Sequence, residues 1–398
     1  SGGVGTMFNF TPDRSQYPDV GPDGKLEVDL ETGKYLKLWH GPNHPGITGN
    51  MSVEITVDGD EVVEGYTHVG YLHRGFEKLM ERRTFIQVFP IVCRVCVPEP
   101  DFNEYCYAAA VEELAGIEVP EKANWIRTLI LEMGRFNSYM MAMGGIAGAL
   151  GNGIVGQWMT YTRDLMLDRF EELTGARIYH MFILPGGVRA DLPEGFAGRM
   201  EEVLTTAERY LADVDKVMFH NGVFKKRTRG VGYIDPALFE GYGVTGPNAR
   251  AGGVAKDVRK DAPYLVYDQL DFDVPVEHES DIYARAMVRY RDLLGTIGLI
   301  RQILEKMPTE GAVMTPLPNV LHWKIPRGET YIKGESSRGE YGYYLVTDGS
   351  GYPRRINVRG PSYTHAMALL EHLLPGTNIS DIAALMVSLH TYPPEIER

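Results

Sequence analysis

The stretch EKANWIRTLILEMGRFNSYMMAM, Glu121–Met143, decides the fold because it predicts one long helix. The pair Val119-Pro120 directly before it is a helix breaker and marks the point where this helix begins. Further helical segments are predicted around it, near Gly75–Arg83, Asn103–Leu114, Met159–Leu173 and Pro193–Leu211. Several long helices joined by short links are typical of a helix bundle.

β-hairpins are predicted on both sides of the helical region. Near the N-terminus, apolar and polar residues alternate along Val53–Val57, and the turn Asp58–Asp60 leads into a second strand. Near the C-terminus, Gly342–Val346 and Arg354–Val358 are joined by a glycine-containing turn and predict another hairpin. The sequence therefore predicts an α+β fold with a helical bundle core and antiparallel β-hairpins near both ends.

The rest of the chain adds helices but no sign of a second domain. A long helix is predicted near Ser280–Lys306, and two short ones near Tyr363–Leu373 and Ile379–Leu389. Residues 1–34 are rich in Gly, Pro and Asp and are predicted to form an N-terminal surface arm. No repeat and no Pro/Ser linker interrupts the remainder, so we predict a single domain over residues 35–398.

Composition excludes some classes of function. The chain has 398 residues, of which 44% are apolar and 23% charged, as expected for a globular protein. Its formal charge of −13 argues against nucleic acid as a partner, because a nucleic-acid surface needs clustered Lys and Arg. Cys93, Cys96 and Cys106 cannot make a disulfide framework and indicate a reducing compartment.

One uncharged run, Phe136–Thr162, is long enough to span a bilayer. It contains Asn137, Asn152 and six glycines between Gly144 and Gly156, which favours buried helix packing instead. The first residues lack a basic region followed by an apolar run, so no signal peptide is expected.

The segment Cys93-Arg94-Val95-Cys96 is the most distinctive local feature. Its spacing places two thiols on one side of a helical turn with a fixed positive charge between them. Such a pair could bind metal, cycle between dithiol and disulfide, or pack as two small apolar side chains. A closed zinc site needs four ligands, and without a second cysteine pair it is improbable. Apart from that closed zinc site, the three interpretations stay open at this point.

Two further polar groups are candidates. His44 stands in the loop Gly41–Asn50, which is dense in turn-forming residues, and a lone loop histidine is more often structural than functional. His73 and Arg74 lie where a strand is predicted to lead into a helix. They either begin that helix as solvated charges or face a neighbouring redox centre. No glycine pattern here follows a strand as a nucleotide-binding loop requires.

Several segments together resemble a known family. They are Gly41–Pro45, Gly70–Lys78, Gly116–Arg127, Leu131–Arg135, Thr174–Arg177, Pro185–Val188, Thr245–Ala251 and Glu395–Arg398. In this order they are similar to the quinone-site large subunit of respiratory complex I, the D-subunit of NADH:quinone oxidoreductase. F420H2 dehydrogenases, membrane-bound sulfane reductases and the large subunits of membrane-bound [NiFe] hydrogenases are its relatives. The resemblance covers roughly residues 36–398 and implies a [NiFe]-hydrogenase large-subunit-like fold.

The resemblance also implies partners. A neighbouring small subunit would hold a [4Fe–4S] cluster and deliver electrons into a cavity between the two subunits, so that this chain holds no cofactor itself. His73 and Arg74 would lie near that cluster. Other hydrophilic-arm subunits, membrane-arm subunits and a ferredoxin, F420H2 or NADH module as electron source are expected. The chain would be a peripheral membrane protein on the cytoplasmic face of the cell membrane.

The sequence departs from the family pattern at the acceptor site. Thr48 stands where complex I-like members carry a second histidine, and Val97 where they carry a tyrosine that contacts the quinone head group. Near Ala149–Gly151 an aspartate is replaced as well. A nickel–iron centre needs four cysteine thiolates, whereas only Cys96 matches one and Glu99 occupies the next position. The hydrogenase reaction is therefore excluded.

Three functional hypotheses remain. In the first, electrons pass to a lipophilic carrier, a quinone or methanophenazine, bound by His44, Thr48 and Val97, with ion translocation by other subunits. In the second, a ferredoxin-driven complex reduces sulfane sulfur or a disulfide through Cys93 and Cys96. The third is a non-catalytic scaffold subunit. The candidate catalytic residues are Cys93, Arg94, Cys96 and Glu99, with Arg94 lowering a thiol pKa.

Overall fold

The computed structural model describes residues 35–42, 51–320 and 322–398. His44, Thr48 and the expected N-terminal arm lie outside these residues. The helices are α1 Phe76–Met80, α2 Phe89–Val92, α3 Pro100–Ala115, α4 Glu121–Ala149, α5 Gly153–Thr174, α6 Phe196–Val214, α7 Gly222–Thr228, α8 Phe239–Tyr242, α9 Gly246–Arg250, α10 Val258–Asp261, α11 Ile282–Lys306, α12 Pro361–Thr364, α13 Leu370–Leu373, α14 Ile382–Leu389 and α15 Pro393–Ile396. The strands are β1 Leu36–His40, β2 Ser52–Asp58, β3 Glu61–His68, β4 Ile183–Leu184, β5 Gly187–Val188, β6 Gly328–Ser336, β7 Gly339–Thr347 and β8 Arg355–Arg359.

Helix α4 is the centre of the molecule and packs against α5, α11 and α14. It continues six residues beyond the predicted end at Met143, so the expectation that the glycine series breaks the helix there is wrong. The helix ends at Ala149 and is capped by Leu150, next to Gly151, whose φ of 81° lies in the left-handed region. Within it, a Cβ on Gly144 would lie 3.6 Å from Gly156 Cα. The glycines thus allow α4 and α5 to approach closely, as the packing interpretation of Phe136–Thr162 predicts.

Buried charges stabilise this helical core. Glu132 Oε1 accepts hydrogen bonds from Arg135 Nε at 3.2 Å, Arg259 Nη1 at 3.2 Å and Tyr267 Oη at 2.7 Å. All four side chains are buried. A buried carboxylate needs such partners to offset the loss of its hydration. No helix among the described residues is sufficiently long and apolar to cross a membrane.

The sheets confirm the predicted hairpins and add strands to them. β2 and β3 form the N-terminal hairpin, and β1 pairs with β2 to give a three-stranded antiparallel sheet. β7 and β8 form the C-terminal hairpin, which β6 extends. The sequence analysis missed β6 and the short helices α7–α10, which lie within residues 222–275. The α+β class is confirmed, whereas the single domain stays a prediction.

The last helix, α15, brings the C-terminal residues to the start of α1. Glu397 accepts backbone hydrogen bonds from Gly70 at 2.7 Å and Leu72 at 2.5 Å. Glu395 accepts the backbone N–H of Ser362 at 2.8 Å. These contacts join the C-terminal residues to the segment before α1 and to α12.

Candidate functional site

The segment Cys93–Glu99 connects α2 to α3 and lies inside the protein rather than on its surface. Pro100 occupies the first turn of α3, where a missing N–H costs nothing because that position has no intrahelical acceptor. Cys93 and Cys96 are completely buried. Arg94 Nη1 donates to the Pro90 carbonyl at 2.7 Å and lies 3.2 Å from Cys93 Sγ. Both thiols therefore lie in the interior of the protein, as the packing interpretation requires.

A buried arginine that the sequence does not single out lies at the centre of this loop. Arg338 Nη2 lies 2.7 Å from Cys96 Sγ and 2.9 Å from Glu99 Oε2. Its Nε lies 3.3 Å from Glu395 Oε2, and its side chain is only 1% exposed. One guanidinium thus connects the cysteine loop, the β6–β7 turn and α15. Its partners Cys96, Glu99 and Glu395 each had a sequence signal, whereas Arg338 itself had none.

Burial is the main influence on the pKa of the two thiols. It raises the pKa of Cys93 to about 12, and Glu104 adds to this effect while Arg94 opposes it. It also raises the pKa of Cys96 to about 12, although Arg338 opposes that shift. The expected lowering of a thiol pKa by Arg94 is therefore outweighed by burial. Both cysteines are thiols at neutral pH, and a thiol is a poor nucleophile compared with a thiolate.

Glu99 holds two chain segments together. Its carboxylate accepts hydrogen bonds from the Ser337 backbone N–H at 2.9 Å and from Ser337 Oγ at 2.7 Å. Ser337 Oγ in turn lies 2.7 Å from Ser138 Oγ on α4. The carboxylate at the second hydrogenase-cysteine position thus anchors the β6–β7 turn. Its predicted catalytic role gains no support from these contacts.

His73 and Arg74 contact the same region. Arg74 Nη1 donates to the Arg94 carbonyl at 2.8 Å, and its guanidinium lies 3.9 Å above the Phe76 ring. Burial lowers the pKa of Arg74. His73 Nδ1 lies 3.0 Å from the Glu397 carbonyl oxygen. Both side chains therefore fix the start of α1 against the cysteine loop and α15, and their place near a partner's cluster stays a prediction.

A narrow cavity, with room for about one water molecule, opens behind Val97, between α3, α4, α5 and the segment after α5. Val97 is half-buried in its wall. Four polar residues also line this cavity, and the sequence singled out none of them as part of the site: Asp101, Asn137, Arg163 and His180. Asp101 Oδ1 lies 2.8 Å from His180 Nδ1. Although burial alone lowers the pKa of His180, the Asp101 carboxylate outweighs that effect and raises it.

No local pattern could have revealed this pair, because Asp101 and His180 are 79 positions apart. Arg94 also reaches the same segment, with its guanidinium 5.0 Å from the ring centre of Tyr179. Among the described residues, no group of three or more His, Cys, Asp or Glu side chains could hold a metal ion.

Comparison with known proteins assigns the family. Residues 149–322 and 319–398 match the family described as the respiratory-chain NADH dehydrogenase, 49 Kd subunit. The chain belongs to this family. The NADH-quinone oxidoreductase D-subunit from Thermosipho melanesiensis is 45% identical over 365 residues, covering 91% of this chain and 99% of that one. Its counterpart from Clostridium beijerinckii is 38% identical over 376 residues, covering 94% of this chain and 100% of that one.

A solved structure is similar over nearly the whole chain. A chain of the membrane-bound sulfane sulfur reductase, an archaeal respiratory membrane complex, superposes with a TM-score of 0.89 and 41% identity. The match covers 94% of this chain and 100% of that one. The family resemblance and the fold predicted from the sequence are thus confirmed. This 49 Kd-family chain is a component of an oxidoreductase of the respiratory type.

Proposed function

We propose that this chain is the acceptor-side subunit of a complex I-like respiratory complex that reduces sulfane sulfur. Electrons would come from a [4Fe–4S] cluster in a neighbouring small subunit, with ferredoxin as the preferred source. Membrane-arm subunits would couple the reaction to ion translocation at the cytoplasmic face of the membrane. The full-length likeness to a chain of the sulfane sulfur reductase supports this proposal.

The observation that carries the proposal is the half-buried Val97 in the wall of the small cavity. Reduction of a quinone to a quinol adds a proton to each of two carbonyl oxygens, and general acids must be within reach to supply them. An isopropyl group cannot donate a proton. Reduction of a sulfur–sulfur bond needs fewer protons, because two electrons and one proton convert R–S–S–R′ into R–SH and R′–S⁻. An apolar side chain at this position favours the sulfur reaction.

We infer a structural role for Cys93 and Cys96, rather than the catalytic role that the sequence suggests. Cys96 is completely buried and lies against the Arg338 guanidinium, and its pKa is raised. A thiol–disulfide exchange needs an accessible thiolate. We infer that Cys93 and Cys96 pack the loop in place, and that substrate sulfur receives electrons from the partner's side without forming a mixed disulfide with this chain.

A lipophilic carrier, such as a quinone or methanophenazine, is the second candidate acceptor. The names of the relatives from Thermosipho melanesiensis and Clostridium beijerinckii favour it, since they describe NADH-quinone oxidoreductases. His44 and Thr48 are the residues that this alternative requires, together with a proton source other than Val97.

Turnover of the purified whole complex decides between sulfane sulfur and a lipophilic carrier as the acceptor. The complex is supplied with reduced ferredoxin, F420H2 or NADH, and polysulfide and a quinone analogue are offered in separate assays. We expect sulfide release from polysulfide that resists quinone-site inhibitors. Reduction of the quinone analogue alone, blocked by those inhibitors, would overturn the sulfur proposal in favour of the second candidate.

A further inference from the structure

Helix α7 carries a basic cluster on a chain whose formal charge is −13. In the sequence Lys-Lys-Arg-Thr-Arg, residues 225–229, every position except Thr228 is cationic. Lys226 and Arg229 are exposed, and Lys225 is partly exposed. Arg227 forms an ion pair with Asp381 at 2.6 Å. The other three cations have no carboxylate partner among the described residues, so their charge stays available to a ligand outside the chain.

Two exposed aliphatic side chains lie at the same end of the helical bundle. Val223, in the first turn of α7, is 70% exposed, and Ile154, in the first turn of α5, is 47% exposed. Asn152 Nδ2 and Asn221 Nδ2 both donate to the Val217 carbonyl, at 3.4 Å and 3.2 Å, so the two helix starts lie side by side. This end of the bundle therefore presents aliphatic groups next to cations.

The other side of α7 fixes the direction in which these side chains point. Asn221 Oδ1 accepts the Val223 backbone N–H at 2.8 Å and caps the start of the helix. Phe224 is buried, and its ring centre lies 5.7 Å from that of Phe219. The helix is thus amphipathic, with Phe224 on the core and with Val223 and Lys226 on the outside.

Two carboxylates just before α7 have partners of their own. Asp213 lies 3.2 Å from Lys216 Nζ, and Asp215 lies 3.3 Å from His220 Nδ1. The connection between α4 and α5 on the other side belongs to the uncharged run Phe136–Thr162. The local charge at this end is therefore positive although the whole chain is acidic.

We propose that this end of the bundle binds the anionic lipid headgroups of the membrane to which the complex is attached. The α7 surface consists of Ile154, Val223, Lys225, Lys226 and Arg229. Basic residues beside exposed aliphatic side chains are typical of protein surfaces that lie on an anionic bilayer. The inference rests on the proposed membrane attachment of the complex but not on the identity of its electron acceptor.

The composition of the α7 surface favours lipid over an acidic protein as the ligand. A bilayer offers phosphate groups and hydrocarbon in adjacent layers, which matches cations next to aliphatic side chains. Each Lys or Arg near an anionic membrane strengthens binding by about fivefold, so three unpaired cations give about a hundredfold. The acidic remainder of the chain opposes this only weakly, because charges beyond about 8 Å are largely screened at physiological salt.

Binding of the full chain to vesicles is the first test. Vesicles of phosphatidylcholine alone are compared with vesicles of equal parts phosphatidylcholine and phosphatidylglycerol by co-sedimentation. We expect binding only to the anionic vesicles and its loss as the salt is raised to about 1 M, where the Debye length is about 3 Å. Equal binding to both kinds of vesicle, or to neither, would overturn the proposal.

Paired charge removals show whether the α7 surface is the part that binds. Lys225→Gln with Lys226→Gln should weaken binding to the anionic vesicles by about 25-fold. Lys324→Gln with Arg327→Gln is the matched control, because it removes the same charge from two exposed residues elsewhere and should change binding by no more than about twofold. Urea unfolding checks that both double variants are folded. Equal losses in the two would show that net charge governs binding and would sink the assignment to α7.

The whole complex shows whether lipid or another subunit covers the α7 surface. Val223→Cys supplies an accessible thiol, since the three native cysteines of the chain are buried. A fluorophore on this thiol should be quenched by nitroxide-labelled lipid once the complex is reconstituted into vesicles. The native complex, labelled in the same way, gives the background from other subunits, and Lys324→Cys is the control away from α7. A fluorophore that is not quenched, or a thiol that another subunit makes inaccessible, overturns the lipid contact.

The acceptor proposal fails or stands by a different measurement. Lys225→Gln with Lys226→Gln should leave turnover of the detergent-solubilised complex within about twofold, because α7 packs against α11 and takes no part in the cysteine loop. If the native complex reduces a quinone analogue and releases no sulfide, the sulfur proposal fails. Selective binding to anionic vesicles in the same preparation would still support the α7 surface.

Discussion

The Arg338 guanidinium lies 2.7 Å from Cys96 Sγ, although the two residues are 242 positions apart in the sequence. The same side chain lies within 3.3 Å of two buried carboxylates, those of Glu99 and Glu395. Three segments of the chain therefore meet at one positive charge. This charge holds the cysteine loop against the β6–β7 turn, and the loop carries Val97 to the cavity wall.

Removal of that charge should destabilise the protein strongly. In Arg338→Ala, Glu99 and Glu395 stay buried without their cation, and breaking such a pair costs about 3–5 kcal/mol. We expect the free energy of unfolding in urea to fall by this amount. Arg327→Ala is the matched control, because Arg327 is exposed and should change stability by no more than about 0.5 kcal/mol. Equal effects of the two variants would show that the buried network is not what stabilises this region.

Serine in place of either cysteine should leave turnover intact. Cys96→Ser keeps an acceptor for Arg338 and should cost about 1–2 kcal/mol of stability, with sulfide production within about twofold of the native complex. Cys93→Ser should behave in the same way. Turnover and unfolding are measured on the same preparation. If turnover is lost while the complex assembles normally, the cysteines exchange with substrate sulfur after all.

Tyrosine at position 97 should shift the choice of acceptor. Val97→Tyr introduces a phenol that can donate a proton, so reduction of a quinone analogue should rise relative to sulfide production. Val97→Phe is the control, since it adds nearly the same ring without the hydroxyl group. The ratio of the two activities is the measurement. A change of equal size in both variants would point to the bulk of the ring rather than to the proton.

Acid should destabilise the protein partly through His365. Burial lowers the pKa of this histidine to about 3, and Arg359 adds to the shift. The unfolded chain takes up this proton near pH 6.5 but the folded chain does not, so stability falls as pH falls from about 6.5 towards 3. This single group should cost about 2 kcal/mol between pH 7 and pH 5.

His365→Gln should reduce that acid-dependent loss by the same amount. The measurement is urea unfolding of the isolated chain at pH 7 and pH 5. His278→Gln serves as the control because His278 is exposed and should leave the pH dependence unchanged. An identical loss in His365→Gln and in the native protein would contradict the assignment of a buried, neutral His365.

The sequence predicts the fold better than it predicts the site. Periodicity and breakers are local, so they locate the start of α4 at Glu121 and the β2–β3 hairpin correctly. The end of α4 is missed because glycine lowers helix propensity, whereas here its small size is what packing against α5 requires. β6 is missed because its pairing with β7, rather than its own alternation, makes it a strand.

At the candidate site, even more depends on contacts between distant parts of the chain, which local sequence patterns do not reveal. The spacing of Cys93 and Cys96 is a local signal and was found, but their burial and their contact with Arg338 depend on residues far away in the sequence. His180 was missed for the same reason, since its partner Asp101 lies on α3, 79 positions earlier in the sequence. The family resemblance predicts an acceptor region at Val97 but does not show which polar residues line the cavity there.

The hydrogen bonds from Gly70 and Leu72 to Glu397 join residues 327 and 325 positions apart. The entropic cost of closing a loop grows only slowly with its length, but contacts at such separation form late and slow the folding of a domain. The helical core can therefore collapse before the walls around Val97 are complete. We expect the native helices to form first, and the wall that the C-terminal residues build to close only when they dock.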